Sequence, residues 1–362
     1  MKRSGSEGKV GALVTQIRRT TWRVTIVKDM GVTRNISWSV TRSRTMADCP
    51  RQGFFEYYAD GEAESYAAWN LKELVTLPML AGEVVDIVIS AALKKVAKRE
   101  PLPTNMADVG ARNFRKFVEA SPKIIASMRE NARTADARRR SPYRPLQSDW
   151  YGLDLGKDYE QRLEKQVADC LLNFEKSEVL GRILAVDPVN WGPFTRSMRT
   201  RPYFELDGTR AYTSFDFYFT EADTLFILDW KSGKASQRQR EAADSQLSVY
   251  ALYGVHELII PEDHIQVQAI WLQEDVAWQP HEVTSPALRA CEQRIRSEVA
   301  QEISLLKMNE ANKNRVEYRA DRADFPARPS GNKCAQCKYR ELCPEGQVAC
   351  SHIAGKADVG DR

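Results

Sequence analysis

The sequence predicts a mixed α/β fold, a long helical first part followed by a short-stranded sheet with helices on its flanks. Three observations lead there. Before residue 178, apolar residues recur at helical spacing in several segments, as in Val85, Val88, Ala92 and Val96. From about 179 to 231 they fall instead into short runs broken by Pro, Gly and Asp, the pattern of strands and turns. Helical spacing then returns over about 238–253 and 285–312, on either side of a strand at 265–272.

In chain order, residues 1–36 are basic and irregular, with one strand-like run at 24–27. The stretch 41–59 reads as helix, bent or restarted at Pro50 because proline cannot donate to the preceding turn. Helices follow over about 64–76, 82–99, 105–135 and 156–176, and the arginine- and proline-containing stretch 138–150 reads as an exposed connection. The expected organisation is a helical region over 1–178, a sheet-containing core over 179–320, and a cysteine-bearing segment over 321–362.

Composition narrows the class. With 362 residues, 43% apolar and 28% charged, the chain can bury a sizeable core and reads as globular rather than disordered. It has no run of eighteen apolar residues and no apolar core after its basic N-terminus, which predicts a cytoplasmic protein with no membrane partner. A net charge of +4 decides little, but arginines cluster at Arg133, Arg138, Arg139, Arg140 and Arg144, and again at Arg196, Arg199 and Arg201. Such clusters suit nucleic-acid phosphates or are solvated loops; Arg138, Arg139, Arg140, Arg199 and Arg201 are the candidates for contact.

Two runs alternate in the manner of paired strands. Phe215, Phe217 and Phe219 alternate with Ser214, Asp216 and Tyr218; Phe226, Leu228 and Trp230 alternate with Leu225, Ile227, Asp229 and Lys231. Glu221-Ala222-Asp223-Thr224 between them is polar, as a hairpin turn should be. A loop of two or four residues merges the aromatic faces and sets Asp216 opposite Asp229 or one diagonal step away; a three-residue loop separates them. Two carboxylates so close repel unless a cation lies between them. Mg²⁺ is held by one or two carboxylates with water and phosphate oxygens, and lowers the pKa of a bound water that Lys231 could orient or help deprotonate. That is the chemistry of phosphodiester hydrolysis. Glu205, on the strand-like run 203–206, is a candidate third carboxylate. An Asp/Glu-x-Lys triplet occurs about once by chance in a chain this long, so the strand context carries the argument. The helix that follows places Gln246 and Tyr250 on one face beside the site. Ser232-Gly233-Lys234 lacks the spacing of a phosphate loop, so any motor would be a separate protein.

Phe215-Asp216-Phe217, then Leu228-Asp229-Trp230-Lys231-Ser232-Gly233 and Gln246-x3-Tyr250, resemble the core of the RecB-like PD-(D/E)XK nucleases. The resemblance extends to Cys49-Pro50-Arg51-x3-Phe55-x2-Tyr58 near the start. Near the end it includes Phe325-Pro326-Ala327 and Cys334-x2-Cys337-Lys338-Tyr339-x3-Cys343-Pro344. It implies a restriction-endonuclease-like fold with its nuclease core over 179–320, Mg²⁺ or Mn²⁺ held by Asp216 and Asp229, catalysis by Lys231, and Gln246 and Tyr250 at the site. In the branch with both cysteine motifs, Cys49, Cys334, Cys337 and Cys343 hold a [4Fe–4S] cluster that packs the C-terminal segment back on Cys49. Four thiolates suffice for such a cluster; a Zn²⁺ site of Cys334, Cys337, Cys343 and Cys350 fits the spacing nearly as well. Cys170 and Cys291 read as buried apolar residues. The family commonly carries Gly-x3-His on an early helix with the histidine as a metal ligand; here the stretch is Gly82-Glu83-Val84-Val85-Asp86, which puts Asp86 in that place.

The resemblance implies a DNA nuclease, an exonuclease on single-stranded or end-containing DNA, acting in repair, recombination, CRISPR adaptation or defence, with a helicase or other subunit as a possible partner. The alternative is a catalytically silent nuclease-fold module that binds DNA or scaffolds a complex.

Overall fold

The computed structural model describes residues 36–59, 63–130, 143–194, 201–274, 276–312 and 315–350. The strand-like run at 24–27, Arg133, Arg196 and the candidates Arg138, Arg139, Arg140 and Arg199 lie outside them. After strand β1 (Ser37–Ser39) come α1 (Val40–Asp48), α2 (Pro50–Tyr57), α3 (Ala63–Lys72), α4 (Leu77–Ala97), α5 (Met106–Glu130), α6 (Gln147–Tyr151), α7 (Lys157–Glu175) and α8 (Glu178–Ala185). Then follow β2 (Tyr203–Leu206), β3 (Thr209–Tyr212), β4 (Phe217–Glu221), β5 (Thr224–Lys231), α9 (Gln237–His256), β6 (Ile265–Trp271), β7 (His281–Glu282) and α10 (Ser285–Ile303). Strands β8 (Leu306–Asn312) and β9 (Arg315–Ala320) pair as a two-stranded sheet, and α11 (Gly331–Ala335) and α12 (Pro344–Cys350) close the described chain. The described residues within 36–307 and 319–350 form the main body; those of the β8–β9 sheet within 308–318 fall in a second, small unit. No helix among the described residues is long and apolar enough to cross a membrane.

Local chemistry sets the helix starts. Pro50 ends α1 and begins α2, leaving Cys49 extended between them (φ −159°). Thr76 caps α4, its hydroxyl accepting from Met79 N–H, so that helix begins at Leu77 rather than near 82. Ser236 and Gln239 form a reciprocal capping box at the start of α9.

The central sheet runs β4-β5-β6-β7, with β4 and β5 antiparallel, β5 and β6 parallel, and β6 and β7 antiparallel. A parallel pair needs a crossover, which α9 supplies. A smaller sheet, β1-β3-β2, pairs β1 parallel to β3. One face of the central sheet, with Phe217, Phe219, Phe226, Leu228 and Trp230, packs on α4, α5, α7 and α8 in one apolar core. The other face, with Leu225, Ile227, Ile265 and Val267, packs on α9 and α10 in a second. This is a mixed sheet flanked by helices, as the sequence predicts.

Three expectations are corrected. The helix predicted over 285–312 ends at Ile303, and Leu306–Asn312 is a strand paired with β9. The strand-like region from 179 opens with α8, capped by Ser177 and burying Val179, Leu180 and Ile183. Phe215 does not share the face of Phe217 and Phe219: β4 begins at Phe217, and Phe215 turns into the other core against Tyr250 and Tyr253.

Candidate active site

The β4–β5 hairpin closes through a two-residue turn. Glu221 pairs with Thr224, and Ala222 and Asp223 both take left-handed backbone (φ 44° and 68°), the geometry whose twist suits a tight hairpin. The register pairs Phe217 with Leu228. Asp216, one residue before β4, therefore comes level with Asp229. Its N–H donates to Leu228 O at 3.1 Å, and its Oδ2 accepts from Trp230 N–H at 2.7 Å.

Asp229, 3% exposed, stands on the face that meets α9. Lys231 lies two residues on, its Nζ 2.5 Å from Asp229 Oδ2, and donates to Gln246 Oε1 at 2.8 Å. Gln246 Nε2 donates to the Tyr250 hydroxyl, which donates to Asp229 Oδ1 at 3.1 Å. These contacts close a ring, Asp229–Lys231–Gln246–Tyr250, in which one helical turn of α9 spaces the two partners of the strand. Asp229 Oδ2 accepts no directed hydrogen bond; the ammonium contact neutralises it instead.

Helix α4 brings in Asp86. It approaches the end of β5 so closely at Gly82 that a Cβ there would lie 3.1 Å from Ser232 Oγ. One turn along the same face is Asp86, whose Oδ1 accepts from Ser90 Oγ at 3.2 Å. Asp86 is near enough for its charge to act on both hairpin carboxyls. Burial pushes the Asp216 carboxyl well above the usual carboxylate range, with Asp229 and Asp86 adding repulsion. Burial raises Asp229 too, opposed by Lys231 and by the Tyr250 hydrogen bond. The two hairpin acids thus carry each other's repulsion and that of Asp86, against the one ammonium of Lys231.

Among the described residues no three His, Cys, Asp or Glu side chains close around a common metal position. The buried carboxylates of Asp216 and Asp229 still supply the kind of oxygen a hard divalent cation takes, and such a cation would relieve the repulsion between them.

Sequence reasoning missed the side chains that fix the end of β5. Ser232 O accepts from Gln166 Nε2 of α7 at 2.7 Å and from Gln273 Nε2, and Asn173 Nδ2 donates to Leu272 O at 2.8 Å. The signal was polar residues on the apolar, strand-facing side of α7. Of the remaining candidates, Glu205 is not brought to this set. It is exposed on β2, 3.6 Å from Arg210 Nε, and its charge acts on Glu257 at the far end of α9. Arg201 is exposed, just before β2. On the other flank of α9, Arg240, Asp244, Gln268, Trp271, Glu274 and His281 help line a cavity of about 360 Å³.

The two ends of the main body meet at the cysteines. Arg51 N–H donates to Pro326 O (3.3 Å) and Arg51 Nε to Phe325 O (2.8 Å); Phe55 stacks on Tyr339. Cys49, Cys334, Cys337 and Cys343 line a cavity of about 200 Å³ with Arg51, Lys333 and Arg340. Backbone N–H groups of Arg328 and Ser330 point at the sulfurs of Cys49 (3.5 Å) and Cys334 (3.3 Å). Burial pushes the Cys337 thiol up to about 11, with Cys49, Cys334 and Cys343 adding to the shift. Cys350 is outside that lining, its Sγ 4.0 Å from Gly331 O.

A family model described as the PD-(D/E)XK nuclease superfamily matches residues 37–344. No curated relative matches the chain.

Proposed function

The chain belongs to the PD-(D/E)XK nuclease superfamily, and we propose that it is a Mg²⁺- or Mn²⁺-dependent deoxyribonuclease of the RecB-like branch, an exonuclease on single-stranded or end-containing DNA. The observation that carries the proposal is the convergence of Asp216, Asp229 and Lys231 at one end of the hairpin, tied to Gln246 and Tyr250, with the charge of Asp86 acting on both acids.

In this reading Asp216 and Asp229, with Asp86 as a candidate third ligand, would hold the cation, which would supply Lewis acidity toward a phosphate oxygen and water. Lys231 orients the attacking water and offsets charge growing on the phosphate. Gln246 sets the ammonium through its carbonyl, and Tyr250 holds Asp229 Oδ1 so that Oδ2 remains directed at the site. Gln166 and Gln273 keep the backbone after Lys231 from shifting. Exposed Arg201, with the arginines at 138–140 and Arg199, would contact DNA phosphates.

We also propose a [4Fe–4S] cluster on Cys49, Cys334, Cys337 and Cys343. Support comes from the four thiols around one cavity and two backbone N–H groups aimed at sulfur; Arg51, Arg328, Lys333 and Arg340 also line it, with Arg51 paired to Glu345 and Lys333 to Asp48. Cys49 lines that cavity and Cys350 does not, which favours this set over zinc on the C-terminal cysteines alone.

The deciding experiment compares end-labelled and circular DNA, single- and double-stranded, with Mg²⁺ and with Mn²⁺. Loss of linear single strands with circles spared supports the proposal; cutting of circles makes the enzyme an endonuclease. A second reading, a DNA-binding module without cleavage, draws on the absence of any closed metal set among the described residues. It predicts retained binding with no product under either cation.

A further inference from the structure

Strand β6 carries an aromatic side chain to the end of the hairpin. The parallel register of β5 and β6 pairs Asp229 with Ala269 and Lys231 with Trp271. Ile270 and Leu272 turn into the core on the far face of the sheet. The half-buried Trp271 therefore shares the face of Lys231, one strand over and about 4.8 Å away. Beside it opens the cavity of about 360 Å³ on the flank of α9, lined by Ala269 and Trp271 of β6, Asp244 and Leu247 of α9, and Gln279 of the β6–β7 connection.

Side chains outside the catalytic set hold this lining in place. Gln268, 7% exposed, donates from Nε2 to Ala277 O at 2.8 Å and accepts from Gln279 N–H at 3.1 Å, which fixes the β6–β7 connection as one wall. Glu274 accepts from Ala235 N–H at 3.0 Å and from Arg240 Nη2 at 2.7 Å, tying the loop after Lys231 to α9. The Arg240 guanidinium in turn lies over the Trp271 ring, 5.7 Å from its centroid. A concave space of this size, with one large ring and a few polar groups, suits a flat organic group. The flat group that a DNA strand brings beside a scissile phosphate is a base. Every base has a π-face, so stacking on one aromatic tolerates any sequence, and an unpaired base reaches it without the cost of leaving a duplex.

Resting on the nuclease reading above, we propose that this cavity is a base-binding subsite, in which the unpaired nucleobase next to the scissile phosphate stacks on Trp271 while the phosphate lies at Lys231. The spacing of neighbouring strands is shorter than the reach of one nucleotide, so a single strand spans both positions. Trp271 is then a substrate-binding residue that favours single-stranded over duplex DNA.

The test is binding of a short, labelled single-stranded oligonucleotide to the full chain in EDTA, read by fluorescence anisotropy, with one abasic site moved along the strand. Wild type is expected to lose affinity by about 5- to 150-fold, the scale of one base–aromatic stack, when the abasic site falls at one particular position. Trp271→Ala should bind the intact strand more weakly by a similar factor and show no such position, and Trp271→Phe should restore most of both. A Trp271→Ala chain that binds as wild type does, or that keeps the position-dependent loss, overturns the inference. The same oligonucleotides are then incubated with Mg²⁺. Cleavage by wild type together with a flat abasic scan leaves the nuclease reading standing and sinks the subsite. A Trp271-dependent loss without cleavage keeps the subsite and sinks the nuclease reading, and a wild-type chain that neither binds nor cleaves overturns both. If Trp271→Ala fails to fold, Trp271→Leu, which keeps apolar bulk without an aromatic face, takes its place with the same expected and overturning results.

Discussion

Tyr250→Phe isolates one hydrogen bond of the site. The ring is 1% exposed and packs edge-on against Phe215 at 5.6 Å, contacts that phenylalanine keeps. Only the hydroxyl goes, and with it the bond to Asp229 Oδ1 at 3.1 Å and the partner of Gln246 Nε2. A hydrogen bond to a charged group is worth about 1.5–3 kcal/mol net. Asp229 loses one of the two groups that hold it, and Gln246, which sets Lys231, loses its anchor. If that energy is expressed in the transition state, kcat falls about 10- to 150-fold at 1.36 kcal/mol per decade. The assay is the initial rate on end-labelled single-stranded DNA at saturating Mg²⁺, with a thermal melt alongside. A kcat within about twofold of wild type, the fold intact, would refute the ring of contacts as a catalytic device.

Asp216→Asn should stabilise the metal-free protein as pH rises. The folded-state pKa of Asp216 is raised, so the unfolded chain ionises first. Stability is lost as pH climbs from the unfolded value of about 4 toward the folded one, and the loss persists above it. In EDTA the variant should therefore melt higher than wild type at about pH 8 and alike at about pH 4; equal melts at both disprove it. Cys49→Ala should strip iron and colour from anaerobically purified protein while Cys350→Ala keeps both, read by iron analysis and visible absorption; the opposite result favours the C-terminal zinc set. Gly254→Ala should destabilise by about 1–3 kcal/mol in a urea melt. Its Cβ would sit 2.7 Å from Ile265 Cδ1 and 2.9 Å from Leu225 Cδ2, prising α9 from the strands that carry the site.

Much of the hairpin was legible because its information is local. Strict alternation gave the strands, and a two-residue turn was one of two lengths that bring Asp216 level with Asp229. Gln246 and Tyr250 were legible from one helical turn of spacing. Position 86 could be read only through a family pattern; the structure adds the close approach of α4 to the end of β5 at Gly82, one turn away. What was not legible depends on distant pairing. Leu306–Asn312 lacks β-branched residues and reads as helix until β9 pairs with it. Glu205 lies on a strand whose partner, β3, turns it toward Arg210 and solvent instead of the hairpin. Helix α8 is eight residues long, too short for periodicity to tell it from a strand. The amides of Gln166 and Asn173 matter only because α7 folds against the ends of β5 and β6.

The central claim is that the hairpin Asp216–Asp229–Lys231 performs metal-dependent DNA cleavage. Its most direct test is degradation of labelled single-stranded DNA in Mg²⁺ by wild type, Asp229→Ala and Lys231→Ala purified side by side. The account predicts that both variants lose activity by about a thousandfold or more while staying folded. Cleavage that persists in either variant at the wild-type rate would contradict it.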